Sequence, residues 1–152
     1  MANKMRLEIK GLQELAGKLE DLGLDVESVL AGAVLAAGQL VADGANTNAP
    51  GPDIVSEVDE EESSQDAVVV NVGPKDEKWY YKFAETGATE HEISSVGALA
   101  FEGRAGLVIT KSLEHPGVVA KPFLRPALAS NKDQARDEIG KHIKDVIDGK
   151  VE

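Results

Sequence analysis

Two prolines four residues apart, Pro122 and Pro126, constrain the fold of this chain more than any other feature. Proline fixes φ and lacks a backbone N–H, so it fits the first turn of a helix and disrupts a helix interior. Phe123 and Leu124 lie between the two prolines, and a segment with helical spacing of apolar residues follows. The sequence therefore predicts a rigid start to a long C-terminal helix, with Phe123 and Leu124 as apolar anchors.

This final helix is predicted from residue 122 or 123 to residue 147, with Asp148 and Gly149 ending it. The residues on its buried side are predicted to be Leu124, Leu128, Ala135, Ile139, Ile143, Val146 and Ile147.

Two further helices are predicted near the N-terminus. Apolar residues at nearly helical spacing from Leu7 to Leu22 predict the first, and Gly23 suits its end. Asp25 suits the N-cap of the second, which is rich in alanine and glycine between residues 31 and 38. These small residues would let another backbone approach closely, either within the chain or across a subunit interface.

Short runs of β-branched and apolar residues predict four strands. The first two are expected at residues 54–58 and 67–72, and the other two, at residues 96–101 and 107–111, are joined by a glycine-containing turn. Residues 87–95 are predicted to form a loop.

Loops are also predicted at residues 59–66 and 112–121. The segment from Trp79 to Glu85 fits either a strand or a helix, and it holds four of the six aromatic residues, which marks it as a core anchor. The order of elements predicts an α+β fold: a mostly antiparallel β-sheet of about four strands packed against two N-terminal helices and a long C-terminal helix. Residues 1–152 are predicted to form a single domain.

The composition excludes or disfavours several kinds of site and function. The chain has no cysteine, so disulfides and thiolate metal sites are ruled out. Its net charge of −11 disfavours sequence-independent DNA binding, which needs cationic surface to displace phosphate counterions. We found no apolar run of bilayer length and no signal-peptide core, so the sequence predicts a soluble cytosolic protein.

No catalytic signature is present in the sequence. The histidines do not have the helical spacing of a zinc hydrolase, the serines lack a nucleophile-elbow pattern, and no phosphate-binding loop occurs. We therefore predict no catalytic residue, no cofactor and no metal, and the chain is not predicted to be an enzyme. The alternative from another functional class is a small cytosolic enzyme or ligand-binding domain that uses Glu85, His91 and His115 around a pocket.

Glu85 has two interpretations. In the first it is a surface carboxylate or the acceptor of a hydrogen bond from Thr86 or a local backbone donor. In the second it is the partner of Arg125 in an ion pair. A bidentate pair of this kind would fix the last helix against the aromatic segment.

Taken in order along the chain, these motifs resemble the small tail-component, or neck-protein, family of long-tailed double-stranded DNA bacteriophages. The residues that carry the resemblance form three groups: Tyr81, Phe83, Glu85 and Gly87; His115, Pro116 and Gly117; and Pro122, Phe123, Leu124, Arg125, Pro126 and Ala127. A weaker N-terminal match includes the helix that ends in Asn48-Ala49-Pro50. The chain departs from the family where it reads Gly51-Pro52-Asp53-Ile54, without the Leu-Arg-x-Ser-Ile element usual there.

The resemblance implies a structural virion protein of a phage or prophage that acts in head–tail joining and tail completion. It implies a ring homo-oligomer whose partners are itself and the head-connector and tail-terminator or tail-tube proteins, with no specific nucleic-acid binding and no membrane. The implied location is the neck or tail of the virion, and the host cytoplasm during assembly. The alternative within this class is a tail terminator or minor tail protein. Candidate interfaces are the small-residue face of the second helix, an exposed strand edge, and residues 87–95.

Overall fold

A computed structural model describes residues 5–10, 13–64 and 67–151. The elements follow in chain order as β1 (Met5–Lys10), α1 (Gln13–Asp21), α2 (Val26–Asn46), β2 (Ile54–Val58), β3 (Ala67–Pro74), a 3₁₀ turn (Asp76–Lys78), α3 (Tyr81–Thr86), β4 (His91–Gly103), β5 (Gly106–His115) and α4 (Leu124–Val151). The predicted class is confirmed, because the fold combines antiparallel sheets with two N-terminal helices and a long C-terminal helix.

The strands form two separate sheets rather than one. The first is antiparallel with the order β1-β3-β2, in which Leu7 lies opposite Val70 and Ser56 lies opposite Val72. Its central strand β3 is buried along most of its length, as its run of valines predicts. The second sheet is the β4–β5 hairpin, and neither of its strands makes more than marginal contact with any other helix or strand.

Helix α2 lies between the three-stranded sheet and α4. Its residue Gly38 faces Ser56 and Val70 of the sheet, whereas Gly32 and Gly44 face α4. A helix that packs on two sides needs apolar residues around most of its circumference, and nine residues of α2 are buried. The small residues therefore serve close packing within the chain, which is the first of the two alternatives drawn from the sequence.

The same two-sided burial explains why α2 meets the length and composition of a membrane span, with a mean hydropathy of 1.4 over its most apolar window. The expectation that no segment reaches that length and hydropathy was therefore wrong. Half of that window is buried inside the fold, which is also typical of the core helix of a globular domain.

Several element boundaries differ from the predictions. Leu7 lies in a strand that precedes the first helix, because the segment from residue 5 pairs with β3; Gly11, Leu12 and Asp66 lie outside the described residues. Strand β4 begins five residues earlier than predicted, at His91, and β5 ends four residues later, at His115, so both extend into the expected loops. Helix α4 continues through Asp148 and Gly149. Its predicted buried side is confirmed, with Leu124, Ala135 and Ile143 buried.

We expect Gly38→Ala to lower the free energy of unfolding by about 1–2 kcal/mol, as measured by urea denaturation. A Cβ atom at residue 38 would collide with the Ser56 hydroxyl and approach Val70 Cγ1 to 2.9 Å, and overpacking a core costs about 1–3 kcal/mol, partly offset by the higher helix propensity of alanine. The matched control is Gly140→Ala in α4, where nothing lies within 4 Å and about 0.5–1 kcal/mol of stabilisation is expected. Equal effects of the two substitutions would contradict this packing.

Candidate functional site

The first group of motif residues meets the other two where the hairpin joins the rest of the fold, although most of the hairpin lies between them in the sequence. We call this region the hairpin base, residues 84–91 and 115–125. An isolated antiparallel bridge closes it: the N–H of Ala88 donates to the carbonyl of Val118 at 2.9 Å, and the N–H of Val118 donates to that of Ala88 at 2.8 Å. The N–H of Lys121 donates to the carbonyl of Ala84 at 2.7 Å, which brings the end of α3 to the start of α4.

The Glu85 side chain, 5% exposed, lies at the centre of the hairpin base. Its Oε2 accepts hydrogen bonds from the backbone N–H groups of Phe123 at 2.7 Å and Leu124 at 2.9 Å, and its Oε1 accepts one from Arg125 at 3.2 Å. The first N–H groups of a helix have no partner within the helix, and the positive end of the helix dipole favours a carboxylate there. Glu85 therefore caps α4 from a different helix.

The two prolines fit the same geometry. Pro126 follows the three capped residues in the first turn of α4, and it has no N–H to satisfy. The first intrahelical hydrogen bond in this turn then runs from the N–H of Ala127 to the carbonyl of Phe123, at 3.4 Å. The three donors on Glu85 and the missing donor of Pro126 together leave no N–H in this turn without a partner.

The predicted ion pair between Glu85 and Arg125 is wrong. Glu85 does contact Arg125, but through the backbone N–H, and the described residues show no salt bridge between their side chains. Of the two interpretations of Glu85, the one with a backbone donor is closer, although the donors come from about 40 residues away rather than from nearby. Every residue except proline has the same backbone N–H, so no residue type in the sequence indicates these donors.

The backbone conformation requires glycine at two positions of the motif. Gly87 has φ +75° and Gly117 has φ +81°, a region that side chains with a Cβ atom rarely adopt. A Cβ atom at Gly87 would lie 2.8 Å from the carbonyl oxygen of Val118, and one at Gly117 would collide with the carbonyl oxygen of Ala88. Glycine at both positions lets the two segments of the hairpin base approach closely.

His91 and His115 lie opposite each other at the first pair of the hairpin, with their rings stacked 5.0 Å apart. His91 Nδ1 lies 2.9 Å from the carbonyl oxygen of Thr89, and the N–H of Gly117 donates to His115 Nδ1 at 3.1 Å. Each imidazole is thus fixed to the backbone of its own segment. The two side chains close the hairpin base, and Pro116 follows at an exposed position outside the strand.

The structure does not bring Glu85, His91 and His115 together as the enzyme or ligand-binding alternative requires. The carboxylate of Glu85 accepts hydrogen bonds from the backbone of α4, whereas the side-chain hydrogen bonds of His91 and His115 are to the backbone of residues 89 and 117. Among the described residues no group of three or more histidine, aspartate and glutamate side chains is placed to hold a metal ion. A groove of about 450 Å³ does exist, but it lies between α1, the start of α2 and β3, and none of the three residues lines it.

Tyr81 is buried, as expected of a core anchor. Its ring meets the Phe123 ring edge to face at 6.1 Å, and its hydroxyl donates to Asp53 Oδ2 at 2.8 Å. Burial, followed by this hydrogen bond to Asp53, raises the pKa of Tyr81 to about 12.

The other aromatic residues of this segment are not core residues, so the expectation of a four-residue aromatic anchor was wrong. Trp79 is 55% exposed, and Tyr80 and Phe83 are also exposed. The Trp79 ring meets the other two edge to face, and the ammonium of Lys82 lies 5.0–5.5 Å from the centroids of the Phe83 and Trp79 rings. We call Trp79, Tyr80, Lys82 and Phe83 the aromatic patch.

The hairpin projects from its base with nearly all side chains exposed. Its large apolar residues are Ile93, Val96, Phe101, Leu107, Val108, Ile109 and Leu113, and the most exposed of those on β5 are Leu107 (70%) and Ile109 (66%). The strands are joined at Arg104 and Ala105, with Gly106 at φ +118°. Two-stranded hairpins are only marginally stable alone in water, and contiguous exposed apolar side chains typically mark interaction surfaces.

No protein-family model matches the chain, and comparisons with curated proteins and with solved structures find no significant match.

Glu85→Ala is expected to lower the free energy of unfolding by about 2–3 kcal/mol, because it removes a charged acceptor from buried N–H groups. Glu85→Gln keeps the shape but replaces one acceptor oxygen by a donor, and we expect a smaller loss of about 1–2 kcal/mol. Chemical denaturation of both variants tests this, with the exposed Glu90→Gln as control. Arg125→Ala should have little effect, and a loss as large as that of Glu85→Ala would support the side-chain ion pair instead.

The stability of the fold should fall at alkaline pH as Tyr81 ionises. Because its folded pKa is raised from 10 to about 12, the neutral phenol is favoured in the fold, so this contribution is complete below pH 10 and is lost as pH rises towards 12. We expect Tyr81→Phe to be less stable than the wild type at pH 8, by about 1 kcal/mol for the lost hydrogen bond. The difference should shrink by pH 11.5 in urea titrations at both pH values, and a constant difference would contradict the shift.

Proposed function

We propose that this chain is a structural virion protein of a tailed phage or prophage that acts in head–tail joining and tail completion. The observation that carries the proposal is an exposed apolar hairpin held on a compact body by a capped and bridged base. Such an arm suits assembly with other protein copies, since apolar side chains that the chain's own fold leaves uncovered are covered by a partner.

The motif residues support this proposal in a second way. The residues that carry the resemblance to neck proteins meet at the hairpin base, where Glu85, Gly87 and Gly117 set the backbone from which the arm leaves. In this proposal the motif residues hold the hairpin in position for assembly and do not form a reaction centre.

Charge is compatible with a place around the DNA channel. A net charge of −11 makes phosphate contacts unfavourable. A ring of such subunits would let DNA pass without binding it.

Deletion of the gene from the phage or prophage that encodes it tests the proposal. We expect electron microscopy to show DNA-filled heads and completed tails that remain unjoined, with rescue by the wild-type chain. A chain whose hairpin residues 92–114 are replaced by a short glycine-serine turn should fail to rescue although its body folds, as judged by circular dichroism. Tails of uncontrolled length would indicate the tail-terminator alternative, and normal virions would overturn the proposal.

A further inference from the structure

The pairing between the two strands of the hairpin is interrupted part-way along the arm. Ser94 lies opposite Ser112, and the next pair towards the apex is Leu99 with Thr110. Between these two pairs β4 advances by five residues and β5 by only two, so residues 95–98 lie opposite a single residue of β5. An insertion of this kind is a β-bulge, which bends the strand that carries it and breaks the ladder of hydrogen bonds locally.

The bulge divides the hairpin into two halves. The inner half is residues 91–94 and 112–115, and the outer half is residues 99–110. We propose that residues 95–98 form a hinge at which the outer half turns as a unit relative to the inner half. The hinge goes beyond the proposed function and does not rest on it, because it concerns only how the hairpin moves.

Hydrogen bonds at the level of the bulge run within each strand. The N–H of Gly97 donates to Ser95 Oγ at 3.2 Å on β4. On β5 the N–H of Ser112 donates to Thr110 Oγ1 at 3.3 Å, and the Thr110 hydroxyl donates to the carbonyl oxygen of Ser112 at 2.7 Å. Such local bonds offer the backbone an alternative to the bonds of the ladder. Because they do not cross from one strand to the other, they do not resist a change in the angle between the two halves.

The side chains of the bulge do not fix that angle either. Val96 is fully exposed, and Ser95 and Ala98 are exposed beside it. A Cβ atom placed on Gly97 would meet no atom within 4 Å apart from its chain neighbours, and glycine also has the widest choice of backbone conformations. The bulge therefore combines an interrupted ladder with a backbone that packing leaves free to rotate.

The two halves differ in their support. The inner half is tied to the body of the protein by the His91–His115 stack and the Ala88–Val118 bridge. The outer half makes no more than marginal contact with any other described helix or strand, and its own pairing continues without a break from the bulge to the apex. A rotation at the bulge therefore changes the direction of the outer half while the hairpin base stays in place.

Distances between two spin labels, measured by double electron–electron resonance, test the hinge. Because the chain has no cysteine, the labels attach only to introduced cysteines. One label is placed on α4 by Lys141→Cys, and the second is placed either at the apex by Arg104→Cys or on the inner half by Glu114→Cys, all at exposed positions.

The apex label should give the broader distribution of distances. The apex lies five residues beyond Leu99, about 17 Å at roughly 3.3 Å per residue. A rotation of about 20° at the hinge displaces the apex by about 6 Å over that length, whereas the inner label does not move with it. We expect the distribution for the apex label to be broader than that for the inner label by about this displacement.

Deletion of residues 95–97 is the matched variant. It leaves Ala98 between Ser94 and Leu99 and opposite Lys111, so the register becomes continuous from the base to the apex. We expect the distances to the apex to become as narrowly distributed as those to the inner label, which should not change. Circular dichroism and thermal unfolding check that the variant is folded.

Amide hydrogen exchange of the unlabelled chain distinguishes a hinge from a hairpin whose outer strands separate. With a hinge, the paired amides of residues 99–110 stay protected, and those of residues 95–98 exchange at least about tenfold faster. Three results would overturn the inference: apex distances as narrow as the inner ones in the wild type, apex distances equally broad after the deletion, or outer-half amides that exchange as fast as those of the bulge. The first and third do not depend on the deletion variant.

Discussion

The carboxylate of Glu85 at the start of α4 is the interaction on which the arrangement of the second half of the chain depends. Three backbone N–H groups there would otherwise lack partners within the helix. The bonds of two of them are buried, and each buried unpaired donor costs about 1–3 kcal/mol. A single side chain satisfies all three from α3, so α3 and α4 are held together at their ends. Since α4 packs along α2, which in turn packs on the sheet, this cap links the aromatic segment to the core.

The hairpin leaves the fold between the two elements that this cap joins. Its strands begin and end at the Ala88–Val118 bridge and the His91–His115 stack, and the positive-φ glycines on each side set the direction of both segments. A hairpin of this length has no hydrophobic layer of its own to cover it. The base therefore holds in place an arm whose apolar side chains no other described helix or strand covers, which is the physical basis of the proposed assembly role.

Local periodicity predicted a large part of this fold. The buried faces of α2 and α4, the end of α1 near Gly23, with its φ of +69°, and the glycine turn of the hairpin all follow from short-range spacing and turn chemistry. The first strand was missed because Leu7 fits the helical spacing of the following segment equally well, and only pairing with β3 decides between them. The aromatic segment was ambiguous for a similar reason: Tyr81 and Phe83 lie in a short helix, and just one of these two rings is buried.

The sequence by itself determined which residues constrain the fold. The prolines and glycines restrict the backbone, and Glu85 needs a hydrogen-bond or charge partner wherever it lies. It also determined that helices would flank antiparallel strands, because the spacing of apolar residues that distinguishes a helix from a strand is a local property of the sequence. Only the tertiary structure decided that Glu85 binds backbone N–H groups rather than the Arg125 guanidinium, because such donors are the same in every residue type. The separation of the hairpin from the main sheet was likewise decided there, since the side chains of β4 and β5 would suit a covered sheet equally well, and only long-range packing left them exposed.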